Sequence, residues 1–569
     1  MLEKRIRIAR GEEPAELVLR NARLVNVFSG EVHPADVAIA EGYIVGIGPY
    51  AGREEIDLEG RFLCPGFIDG HVHLESAMVH PAEFARAVVP RGTTTVIADP
   101  HEIANVLGLE GVHYLLEETA RLPLNVYLMA PSCVPASPLE TAGAEITASD
   151  IAVLLKEERV LGLAEVMNFP GVLDRVPEVL QKLRAAAGRP VDGHAPGLSG
   201  KDLCAYVAAG IGSDHECTTL QEALEKLRLG MAIMIREGST AHNLEELLPL
   251  VMSGNASRCF FVSDDRHPAD LLAHGHMDDI LRRARARELL PPVVLIQMAT
   301  LNAARYFRLW DLGAVAPGYR ADLVVLDDLE SFSVGMVFKD GRLVARDGAL
   351  LEGVLPVARA LPPSTFRVPD LHPGRFRIPM QGSRVRTIGV VPRQIWTQAL
   401  VEEATVQDGF VVADPQRDLL KIAVVERHRG SGRIGLGLVK GFGLKYGAIA
   451  SSVAHDSHNI VAVGCSDEEL ALAVSEVVRL RGGQVVVAGK RVLEALPLPI
   501  AGLMSDRPLE EVRRQVDRLN QAARGLGCAL EAPLMTMAFM ALVVIPELKL
   551  SDRGLVDVQA FSVVPLFAG

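Results

Sequence analysis

The 569 residues, 49% hydrophobic and 23% charged, suffice for roughly three domains and exclude a small fold held together by staples. A formal net charge of −13 disfavours a nucleic-acid surface, which needs clustered Lys and Arg to displace counterions. Seven scattered cysteines without a Cys-x-x-Cys pair exclude a disulfide framework and a zinc knuckle, and read as buried free thiols.

In chain order, Met1-Leu2-Glu3-Lys4-Arg5 leads into charged sequence rather than an apolar signal core. Residues 17–49 then alternate short apolar runs with turn signals, as in Val37-Ala38-Ile39-Ala40, Glu41-Gly42 and Ile44-Val45-Gly46-Ile47. That texture predicts a small β-meander. It returns at 313–350, where Val337 to Val344 reads as a hairpin around Asp340-Gly341. Two β segments flanking a long middle predict one composite domain, residues 1–64 plus 306–362.

The middle, residues 65–305, alternates strand-like runs with helix-length segments. The runs include 94–98, 124–129, 160–164, 191–194, 232–235 and 259–263. Strands spaced by helices indicate βα units, and about 240 residues of them is the size of a (β/α)₈ barrel. The basic run Arg282 to Arg287 reads as a solvated helix face. A break near Leu361-Pro362-Pro363-Ser364 separates a C-terminal α/β or α+β domain, residues 363–569. Its glycine-rich stretch 432–443 fits neither the dinucleotide nor the P-loop pattern, so turns and close packing are expected there. The apolar run Leu534 to Ile545 is shorter than the roughly 20 residues of a membrane span, so a cytoplasmic protein without membrane contact is expected.

Chemistry gathers where the middle strands end. His71-Val72-His73 follows an apolar run, and two imidazoles two residues apart on a strand point to the same side. Further along come Glu165, His194, His215 and Asp264, each after a strand-like run, and in a barrel such ends converge on one mouth. Four histidines and two carboxylates could hold two divalent ions, with one carboxylate bridging them and another deprotonating a shared water. Manganese, iron and zinc all suit these donors.

The stretch Pro65 to His73, the later histidines and Asp264 resemble the amidohydrolase superfamily. Within it, His73-Leu74-Glu75-Ser76, residues 98–106, Ala164-Glu165-Val166-Met167-Asn168, residues 263–268 and Ala454-His455-Asp456-Ser457-His458-Asn459 resemble the adenine deaminase family. The resemblance implies hydrolytic deamination of adenine to hypoxanthine, with manganese or iron as the metal and purine salvage as the setting. Many binuclear superfamily members bridge their metals with a carbamylated lysine. Glu165 at that strand end argues against a hydantoinase or dihydroorotase.

For the reaction, Asp264 is the expected base, and Glu102 or Glu75 the acid that protonates a ring nitrogen. Asp265 is expected to face away from Asp264, because consecutive strand residues point to opposite sides. His101, Asp265, His455, Asp456 and His458 are the expected substrate-binding residues. His101 and Glu102 also suit a helix start. The rival readings are another metal-dependent hydrolase of a cyclic amide or amino-azine, and a non-catalytic scaffold. The expected partner is a small molecule, with a homo-oligomer as the default assembly.

Overall fold

A computed structural model describes residues 2–356, 361–369, 371–392 and 394–568. Eight short parallel strands form its centre: β1 (Phe67–Val72), β2 (Thr93–Ala98), β3 (Asn125–Ala130), β4 (Val160–Val166), β5 (Val191–Gly193), β6 (Ser213–Asp214), β7 (Ala232–Arg236) and β8 (Cys259–Val262). β1 to β5 pair in sequence, as do β6 to β8. The Gly212 N–H donates to Val191 O at 2.9 Å between the two groups. A parallel bridge between Val72 and Asp264 joins the last strand to the first. The curled sheet therefore closes as a barrel, as the alternation of strands and helices predicts.

Period-two alternation sorts the strand residues. Ile68, Ile97, Met129, Leu161, Met234 and Phe260 fill the interior, while Phe67, Val96, Leu128, Val160, Ile233 and Phe261 pack with the surrounding helices. Gly70 is needed at this density, since a Cβ there would lie 2.5 Å from the Phe260 ring.

A nine-stranded sheet is built from both sides of the barrel in sequence. Phe62–Pro65 pairs antiparallel with Leu323–Leu326, joining the strands of residues 15–57 to those of 334–350. The C-terminal part carries an eight-stranded, mainly antiparallel sheet. Helix Asp467–Arg479 lays Leu470, Val474 and Val477 on one face of it. The glycine-rich stretch there holds strand Ile434–Lys440, where a Cβ on Gly435 would sit 1.8 Å from Ser551 O.

The basic run ends helix Met277–Arg285. Arg283 reaches Glu237 at 3.0 Å and Arg285 reaches Glu330 at 3.0 Å, so this face is paired as well as solvated. The expectation of buried thiols fails at Cys204, which is exposed on helix Gly200–Ala208 because Leu203 and Tyr206 take the inward positions. Among the described residues, no helix is long and apolar enough to cross a membrane.

Candidate active site

The six proposed ligands stand together at the carboxyl ends of the barrel strands. His71 lies on β1 and His73 just after it; Glu165 is on β4; His194 and His215 follow β5 and β6; Asp264 comes two residues after β8. Glu165 is central. Its Oε2 lies 2.6 Å from His194 Nδ1 and 3.2 Å from His215 Nε2, while its Oε1 lies 3.6 Å from His73 Nε2. Asp264 Oδ1 lies 3.1 Å from His73 Nε2 and 3.9 Å from His71 Nε2. All are buried except half-buried His194.

Burial would raise both carboxyl groups, but the nearby cations win. His194 and His215 hold Glu165 well below the usual carboxylate range, and Arg236 with His73 does the same for Asp264. His71 is pushed well down by burial and by the neighbouring rings of His215 and His73. Its Nε2, 3.9 Å from Asp264, is buried without a hydrogen-bond partner, an expense that binding a cation would remove. The donor set, imidazole nitrogens around carboxylate oxygens, fits divalent transition ions.

Several contributors were not anticipated. Arg236, at the end of β7, lies 2.7 Å from Asp264 Oδ2 and forks onto Glu216, the residue after His215. Asp69 ties the barrel seam beneath the ligands. It accepts the His71 N–H at 3.2 Å, the Ser263 N–H at 3.1 Å and the Ser263 hydroxyl at 2.5 Å, and lies 3.1 Å from His276 Nε2. Asp99 lies 3.2 Å from His101 Nδ1. Asp264 itself has φ +56°, a backbone setting costly for a non-glycine residue and typical of functional sites.

A narrow cavity lies beside this cluster, between the barrel and the C-terminal sheet. Glu75, Ser76, Met78, Glu102 and Asp265 line one side, and Val453, His455, His458, Leu503 and Met535 the other. Glu75 Oε1 accepts the Ile103 N–H at 3.1 Å, but its Oε2 has no partner, and burial together with the Glu102 charge pushes it up to about 7. Glu102 starts helix His101–Leu107 as expected, yet it also faces His455 at 2.7 Å and His458 more closely still. The Ser76 hydroxyl donates to Asp265, which lies past the strand. The alternation argument that turned Asp265 away therefore does not apply. His101 stands on the ligand side, 3.4 Å from Glu165, and neither it nor Asp456 lines the cavity.

A barrel with imidazoles and carboxylates gathered at its strand ends has the architecture of a metal-dependent hydrolase. Residues 62–344 match the amidohydrolase family, and residues 394–562 match the adenine deaminase C-terminal domain. Adenine deaminase 2 of Carboxydothermus hydrogenoformans is 53% identical over 562 residues, spanning 99% of this chain and 98% of its own. Adenine deaminase of Desulfatibacillum aliphaticivorans is 51% identical over 564 residues, spanning 99% of both chains. That of Methanothrix thermoacetophila is 50% identical over 572 residues, spanning 100% of this chain and 99% of its own. The chain belongs to the adenine deaminase family.

Proposed function

We propose that this protein hydrolyses adenine to hypoxanthine and ammonia, with two divalent cations, manganese or iron, held by His71, His73, Glu165, His194, His215 and Asp264. The observation that carries the reading is the gathering of these six side chains, from five strands or strand ends, around Glu165. When bound, the cations would lower the pKa of water towards neutrality. Glu165 has one oxygen towards His73 and the other towards His194 and His215, the arrangement a bridging ligand needs.

Asp264 accepts the proton of the attacking water and passes it to the departing ammonia. Arg236 and Glu216 fix its orientation. Glu75 protonates the ring nitrogen next to C6, because it keeps a free oxygen in the cavity and a pKa near neutrality. The cavity now has room for about one water, so adenine needs Met78 and Met535, unbranched and adaptable, to swing aside. The division into 1–64 with 306–362, 65–305 and 363–569 is supported by the sheets that each part completes. The absence of disulfides among seven cysteines supports a reducing, cytoplasmic setting.

The test is ammonia release by purified, manganese-loaded protein offered adenine, adenosine and cytosine. Adenine alone is the expected substrate. Turnover of adenosine without turnover of the free base would overturn the proposal.

A further inference from the structure

The C-terminal wall of the cavity carries a histidine with one nitrogen to spare. His455 Nδ1 lies 2.7 Å from Glu102 Oε1, and its ring stacks on Phe539 with centroids 5.0 Å apart and planes 12° from parallel. His455 lines the cavity, and among the described residues its Nε2 makes no hydrogen bond.

Neighbouring His458 fixes how the protons are arranged. Its Nδ1 accepts the Ala454 N–H at 3.2 Å, so its Nε2 carries the hydrogen that it gives to Glu102 Oε2. That tautomer leaves no lone pair on Nε2 for a cation. Glu102, His455 and His458 thus form a hydrogen-bonded cluster rather than a further metal site, close though their ligand atoms are. Both oxygens of Glu102 are occupied, with His101 Nε2 a further 3.5 Å from Oε1. Glu102 has no free oxygen with which to reach a substrate.

We infer that His455, not Glu102, meets the purine, donating its Nε2–H to N3 or N7 of adenine while Glu102 holds its Nδ1–H and balances its charge. The inference rests on the adenine reading and deepens it. Attack at C6 pushes electron density into the ring, and a cationic donor at a remote ring nitrogen stabilises that density without giving up its proton. Burial disfavours the imidazolium, but Glu102, with Asp265 and Asp456 behind it, outweighs burial and lifts His455 to about 9. His458, by contrast, is pushed down to about 4, chiefly by burial, and stays neutral as its hydrogen bonds require. The arrangement makes the C-terminal domain a contributor to the chemistry as well as a cover.

The experiment is a mutant–ligand cycle. His455→Asn retains an N–H for Glu102 and removes the group that faces the cavity. Competitive inhibition constants against adenine are measured for purine, 3-deazapurine and 7-deazapurine with both proteins, alongside metal content. The substitution is expected to weaken purine about 10- to 100-fold, the range for a hydrogen bond to a charged group. One deaza analogue should bind the wild type that much more weakly than purine and lose nothing further in the variant. The analogue that behaves so identifies the ring nitrogen. An equal loss for all three ligands would overturn the contact, as would a wild type that binds all three alike. Should His455→Asn fail to fold, Glu102→Gln serves in the same cycle and is expected to reduce the coupling. A metal-loaded wild type that leaves adenine untouched would instead sink the adenine reading itself.

Discussion

Replacing Asp69 tests whether the barrel seam holds the ligands in place. Asp69 accepts two backbone N–H groups, from His71 on β1 and Ser263 beyond β8, as well as the Ser263 hydroxyl, all fully buried. In Asp69→Ala the hydroxyl can turn elsewhere, but the two backbone donors cannot. At about 1–3 kcal/mol for each buried donor left unpaired, the loss is about 2–6 kcal/mol. Asp69→Asn keeps an acceptor for both backbone groups and offers an amide to the hydroxyl, so its loss is about 1 kcal/mol. Domain stabilities are about 5–15 kcal/mol, so the Ala variant forfeits a large share and the Asn variant a small one. His71 and Asp264 flank the two backbone donors, so the Ala variant should also hold less metal. Urea midpoints and bound metal per chain, measured for both variants, provide the check. An Asp69→Ala protein with the midpoint and metal content of the wild type would refute the reasoning.

Glu165→Gln preserves shape but removes the charge shared by both halves of the ligand cluster; more than half of the bound metal and at least 100-fold in kcat should go, and full metal content by elemental analysis would contradict a bridging role. Lys549, fully buried with only the carbonyls of Ile395 and Phe539 as hydrogen-bond partners among the described residues, is pushed down to about 7 by burial. Above that pH the folded protein has released a proton that the unfolded chain keeps to about 10.4, so stability should rise with pH by up to about 1.4 kcal/mol per unit. Lys549→Met should flatten that rise between pH 7 and 9 in urea titrations; identical slopes would show that Lys549 is not its source.

The candidate ligands were legible because each is a metal-binding residue type where a strand-like run ends, and a barrel brings such ends to one mouth. The spacing of His71 and His73 is a weak signal by itself and gains weight only beside Glu165, His194, His215 and Asp264. What surrounds them was not legible. Arg236 closes a run that reads as ordinary core, and its partner Asp264 lies 28 residues away across the barrel. Asp69 sits inside the recognised motif, yet its work is done on Ser263, 194 residues on. Glu102 carried two readings, helix start and functional group; it starts helix His101–Leu107 while its carboxylate faces His455 and His458. Its link to His455 spans 353 positions, a separation at which no local pattern survives. For Asp265, the alternation rule was applied to residues two and three places past the end of β8.

The cavity draws its walls from Glu75 near one end of the chain and Met535 near the other. A ribosome adding about 5–20 residues per second needs tens of seconds to travel between them. Throughout that interval the emerging barrel can gather its ligand residues while the far wall is still unwritten. A nascent chain arrested after the barrel should therefore capture metal yet remain unable to enclose a base, so that cofactor loading and substrate recognition arise at separate moments in the life of one molecule.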